Sequence, residues 1–99
     1  MGQNEVIDSV RKYRTLVLEK LGKADVYLFG SYSKGTAHAD SDIDVAVIVP
    51  KVAGDFLQTS SMLWTLTWNV NTLIEPVLLE EGHPSPLYEE VLRTGVLIQ

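Results

Sequence analysis

Helices and strands alternate along this 99-residue chain, which predicts an α/β (α+β) fold: a small mixed sheet with helices packed largely on one face. Three observations carry that expectation. The first twenty or so residues repeat apolar side chains at helical spacing, two short apolar runs read as buried strands, and turn residues separate the elements. At this length one domain is expected, residues 1–99, with a single core.

Asn4 is the candidate N-cap of the first helix, with Glu5 and Asp8 in its first turn, where the helix dipole favours negative charge. Val6, Val10, Tyr13, Val17 and Leu21 form its apolar stripe, widened by Ile7 and Leu18. Lys20, Lys23 and Gly22 close it after about five turns. Val26-Tyr27-Leu28-Phe29 follows as a buried strand that ends at Gly30-Ser31. Residues 32–37 read as a short helical turn and residues 38–41 as a loop. The second buried strand, Val45-Ala46-Val47-Ile48-Val49, stops at Pro50.

Residues 51–54 then turn, and Asp55 caps a helix from Phe56 to Leu66, in which Phe56, Leu57, Leu63 and Trp64 recur at helical intervals. The β-branched Thr65 and Thr67 weaken its end. Val70 to Leu79 reads as a third strand, with Asn71, Leu73, Glu75 and Val77 on one side. Pro76 inside it implies an edge position or a bulge. After the loop Glu80-Glu81-Gly82-His83, Ser85 caps a last helix. Pro86 takes its first position, Leu87, Val91 and Leu92 form its apolar face, and Gly95 stops it.

Composition narrows the function classes. A hydrophobic fraction of 45% with 21% charged residues is that of an ordinary soluble globular protein. No apolar run approaches the roughly 18–20 residues that cross a bilayer, so no membrane association is expected. The first five residues lack the basic and apolar regions of a secretion signal. With no cysteine there is no disulfide framework and no thiolate zinc site, and a cytoplasmic location is expected. The net charge of −5 argues against an extended nucleic-acid surface, because only eight Lys and Arg are available to build one.

The most informative segment is Gly30-Ser31, ten residues, then Asp42-Ile43-Asp44. Gly30 lets the backbone turn sharply and approach a ligand without a Cβ in the way. Ser31 adds a hydroxyl and an amide for a phosphate oxygen, the logic of glycine-rich anion cradles. Along a strand, side chains alternate, so Asp42 and Asp44 share one side. Two neighbouring carboxylates repel unless a cation lies between them, and hard ions such as Mg2+ take this kind of oxygen site with water and substrate phosphates. A nucleotide-handling metal site is the expected chemistry.

From Gly30-Ser31-Tyr32-Ser33-Lys34-Gly35 through Asp40-Ser41-Asp42-Ile43-Asp44-Val45, the chain resembles the signature of the minimal nucleotidyltransferase domains of the polymerase-β superfamily. The first helix and residues 87–97 look like the flanks of those short domains. The resemblance implies the polymerase-β-like nucleotidyltransferase fold and a third carboxylate on a neighbouring strand, for which the sequence offers Glu75. Asp42 and Asp44 would then hold the metal ions, in a two-ion Mg2+ site, and Glu75 would help bind one ion and act as base on the incoming hydroxyl. Gly30, Ser31 and Lys34 would contact the nucleotide. Lys34 stands where arginine is common, keeping the charge and losing the planar fork.

The implied reaction moves a nucleoside monophosphate, AMP foremost, from ATP or another nucleoside triphosphate to a hydroxyl. The implied acceptor is a tyrosine on a helical HEPN-type toxin, which makes the chain an antitoxin. Two alternatives stand beside this. One is a catalytically weak subunit that only grips its partner. The other is a small-molecule transferase of the aminoglycoside-modifying kind, with a homo-oligomer supplying the missing acceptor-binding structure. The remaining tempting residues have plainer readings: His38 and His83 as loop residues, Lys51 as a solvated lysine, and Trp64 and Trp68 as core or partner surface.

Overall fold

The run from Val45 to Val49 is apolar without alternation because both faces of that strand are covered. The computed structural model describes residues 2–37 and 41–99. Along them follow α1 (Gln3–Leu21), β1 (Asp25–Phe29), α2 (Ser31–Lys34), β2 (Ile43–Val49), α3 (Phe56–Thr67), β3 (Ile74–Glu80), α4 (Pro86–Thr94) and β4 (Val96–Ile98). The strands form one mixed sheet in the order β3-β2-β1-β4. β1 is antiparallel to β2 and β4, and β2 is parallel to β3.

One face of the sheet carries the main core. Val45 and Val47 of β2, Val26 and Leu28 of β1, and Ile74 and Leu78 of β3 pack there with Val6, Val10, Tyr13 and Val17 of α1 and Leu63 and Leu66 of α3. The opposite face holds a smaller cluster, in which Ala46 and Ile48 meet Val91 of α4. The two long helices therefore share a face, as expected, and among the described residues only α4 lies on the other. Among the described residues no helix is long and apolar enough to cross a membrane.

Pro76 lies on an edge strand, as its chemistry requires. The Leu73 carbonyl accepts from Ile43 N and Glu81 N donates to the Val49 carbonyl. Odd-numbered residues of β3 therefore turn their backbone groups toward β2, and Pro76 turns its missing N–H to the open edge. The expected caps of the later helices also form: Asp55 accepts from Gln58 N and Ser85 from Tyr88 N.

Several expectations need correction. α1 begins at Gln3, and Gly2, without a side-chain cap, stands where Asn4 was expected. Val6 N reaches the Gly2 carbonyl, which draws the helix back past Asn4. The third strand begins at Ile74 instead of Val70: Val70 N and Asn71 N bond the Thr67 carbonyl, and the Asn71 side chain accepts from Leu73 N. Those bonds make a turn of residues expected in the strand. α3 turns Leu63 and Leu66 inward, leaving Phe56, Leu57 and Trp64 exposed together with Trp68. Leu92 is half exposed on α4. β4, unexpected from the sequence, pairs Val96 with Leu28 and Ile98 with Val26. His38 lies outside the described residues.

Tyr13 ties the two long helices together. Its buried hydroxyl donates to the Leu63 carbonyl at 2.7 Å, and burial pushes the phenol well above its ordinary pKa. Tyr13→Phe should lower the unfolding free energy by about 0.5–1.5 kcal/mol. Urea denaturation measures it, and an unchanged midpoint would show that this buried bond contributes nothing net.

Candidate active site

β1 ends at Phe29, opposite Asp44 in the antiparallel register. Gly30 follows with φ 73° and ψ −145°, a conformation open in practice to glycine. A Cβ built on Gly30 would land on the Asp44 carboxylate, 3.1 Å from its Cγ. The absent side chain is therefore what lets the turn lie against Asp44.

The residues after Gly30 are held by short-range bonds. Ser33 Oγ donates to the Gly30 carbonyl at 2.9 Å, and Thr36 N donates to the Ser31 carbonyl at 3.0 Å. Tyr32, buried in the main core, anchors α2 from below. The Ser31 hydroxyl makes no hydrogen bond among the described residues.

On the other side of β2, Asp44 stands in register with Glu75 on the parallel strand β3. Asp42, two residues before Asp44, has the same parity. All three carboxylates thus belong to the sheet face that carries α4, away from α1 and α3. Asp44 is half-buried, while Asp42 and Glu75 are exposed.

The electrostatics show how closely the acids are drawn together. Desolvation raises the Asp44 pKa, and the charge of Asp42 raises it further. Glu75 is raised by desolvation, by the charges of Asp42 and Asp44, and by a hydrogen bond with the Asp42 side chain. Because Glu75 is exposed, the neighbouring charges are the part of this shift that a cation would relieve.

The structure therefore brings Gly30, Ser31, Asp42, Asp44 and Glu75 to one place. Their hard oxygen donors suit a divalent ion such as Mg2+, with water and phosphate oxygens completing its shell. Among the described residues, no group of three or more His, Cys, Asp or Glu side chains is placed to hold a metal ion. Lys34 is turned to α4, where its Nζ lies 3.2 Å from Glu90 Oε1. Glu90 was not foreseen; it lies 56 residues from Lys34, and no local spacing links the two.

The nucleotidyltransferase-domain family matches residues 10–84, which include the glycine turn and all three acids. The chain belongs to that family. A stretch of 23 residues is 70% identical to the protein adenylyltransferase MntA of Shewanella oneidensis, covering 23% of this chain and 16% of that protein. The fold superimposes on a Sulfolobus solfataricus protein assigned to the nucleotidyltransferases with TM-score 0.71 at 18% identity, over 96% of this chain and 80% of that one. A toxin–antitoxin structure with AMP-PNP matches at TM-score 0.63 and 26% identity, over 100% of this chain and 73% of that one.

Two outcomes are expected of this nucleotidyltransferase domain. Gly30→Ala combines a strained backbone with a collision on Asp44 and should cost about 1–3 kcal/mol of stability by urea denaturation. An unchanged stability would mean that the turn moves off Asp44 freely. The second outcome concerns pH. Raised carboxyl pKa values mean that the native state binds more protons than the unfolded chain, so their contribution to stability falls as pH rises through the native pKa values. In EDTA, Asp44→Asn should therefore melt above wild type at about pH 7, with the advantage shrinking toward about pH 4. Melting curves across that range measure it; a variant that melts lower at neutral pH would contradict the repulsion.

Proposed function

We propose that this domain catalyses Mg2+-dependent transfer of a nucleoside monophosphate, AMP foremost, from a nucleoside triphosphate to a hydroxyl, with release of pyrophosphate. The observation that carries the reading is the contact of Gly30 with the Asp44 carboxylate, with Glu75 in register beyond it. A phosphate cradle and a cluster of acids thereby adjoin on an exposed stretch of sheet. The family to which the chain belongs supports the same reaction class.

In this reading Asp42 and Asp44 hold Mg2+, with Glu75 completing the site. A metal held there would supply charge neutralisation to the triphosphate and to the oxygens of the leaving pyrophosphate. The Gly30–Ser31 turn orients the phosphates through the Ser31 hydroxyl and backbone amides. Glu75, whose pKa is raised, accepts the proton of the attacking hydroxyl. Lys34 must leave Glu90 to reach a phosphate, so nucleotide binding would exchange one ion pair for another.

For the acceptor, we take a tyrosine hydroxyl on a helical HEPN-type toxin, with the domain acting as its antitoxin. The short match to an MntA adenylyltransferase and the toxin–antitoxin neighbour support this choice. The exposed Asp42 and Glu75 suit it as well, because a macromolecular acceptor needs an open approach.

A transfer assay with labelled ATP, in the presence of the co-expressed partner, tests the reading. Asp44→Asn should retain the fold and lose orders of magnitude in transfer. Ser31→Ala should lose about 1–2 kcal/mol in transition-state terms. Activity of Asp44→Asn equal to wild type would remove the aspartate pair from the mechanism. No transfer by wild type to protein, RNA or small hydroxyl acceptors would leave a partner-binding subunit instead. Mg2+ and ATP together should also raise the melting temperature more than the sum of their separate shifts. Purely additive shifts would mean that they occupy different sites.

A further inference from the structure

At the far end of β2 from the acids, the chain forms a hollow of about 380 Å³ with an unusual lining. Lys20 from the last turn of α1, Lys23 from the loop after it, and Lys51 from the loop after β2 converge on it. Its apolar wall includes Val49 and Met62, and the Thr59 side chain also borders it. Seven residues of β2, at about 3.3 Å each, put the hollow roughly 20 Å from Asp42. It is also on the other side of the sheet, because Val49 and Met62 belong with the core that α1 and α3 cover.

The fold does not need these three charges together. Lys20 complements the C-terminal dipole of α1, but Lys23 and Lys51 have no such role. Among the described residues none of the three forms an ion pair, although the chain is acidic overall with a net charge of −5. Asp55 accepts from Gln58 N, and Glu80 lies 3.8 Å from the His83 imidazole. Ammonium groups from two stretches of chain, residues 20–23 and Lys51, around an apolar floor make a site for an anion with a hydrophobic body. The volume is at the small end of the range of ligand pockets.

We propose that this hollow binds a small organic phosphate monoester, with its phosphate among Lys20, Lys23 and Lys51 and an aromatic body against Val49 and Met62. The site is separate from the nucleotidyl-transfer site and does not depend on metal.

The test is a 1H–15N titration of the intact chain in EDTA with AMP, phenyl phosphate and inorganic phosphate in turn. AMP and phenyl phosphate should produce saturable shifts at the amides of Lys51, Val52 and Thr59, with inorganic phosphate binding at least about ten-fold more weakly. Lys51→Gln should weaken AMP about three- to five-fold, and the Lys20→Gln/Lys23→Gln/Lys51→Gln variant by more than about ten-fold. All three lysines are exposed, so the spectra of the variants should show an intact fold. Asp44→Asn should bind AMP at the hollow as wild type does, whatever it does to transfer. Shifts confined to the Gly30–Ser31 turn, no saturation at the hollow, or inorganic phosphate binding as well as AMP would each overturn the proposal.

Discussion

Gly30 lies against the Asp44 carboxylate with no room for a side chain between them, and the arrangement of the site follows from that contact. β1 must stop at Phe29, in register with Asp44, for the turn to arrive there. β2 must also accept a parallel partner on its other side, so that Glu75 meets Asp44 from β3. A one-residue slip in either pairing would send an acid to the opposite face, into the core under α1 and α3. The central strand is thus both the middle of the hydrophobic structure and the ruler that spaces the polar groups.

The two faces of the sheet divide the work. α1 and α3 cover one face with a continuous core, strengthened by the buried Tyr13 hydroxyl on the Leu63 carbonyl. The other face carries α4, whose Val91 packs on Ala46 and Ile48. Gly95 closes α4 where a Cβ would meet the Val91 carbonyl at 2.5 Å, so the helix can pass directly into β4. The acids occupy the uncovered part of that face, where their repulsion is tolerable and a ligand can enter. Like charges held together without a cation weigh against folding, and sites of binding and catalysis commonly carry such local costs.

Parts of this were legible from local pattern. The alternation of Val26 to Phe29 and Val45 to Val49 with helical stretches announced a small mixed sheet, and Pro76 announced an edge. The Gly30-Ser31 and Asp42-x-Asp44 spacing pointed to an anion next to paired acids, and the structure brings those groups together. Other parts were ambiguous for physical reasons. α3 has apolar side chains at helical spacing on two sides: Met62, Leu63 and Leu66 on one, Leu57 and Trp64 on the other, with Trp68 just past its end. Both sets satisfy the helical period, so periodicity alone could not say which faces the sheet. β4 is too short to show a period, and the Asn71 turn competes with an equally apolar extended reading of residues 70–73.

By itself the sequence determined the elements whose signals are local: caps at Asp55 and Ser85, the stripe of α1, the buried runs of β1 and β2, and the glycine turn. Those depend on backbone sterics and on side chains a few residues apart. Only the tertiary structure decided which carboxylates share a face, which side of α3 is buried, that Lys34 meets Glu90, and that Lys20, Lys23 and Lys51 border one hollow. Each of these depends on strand order and register, which bring together groups tens of residues apart and leave no periodic trace along the chain.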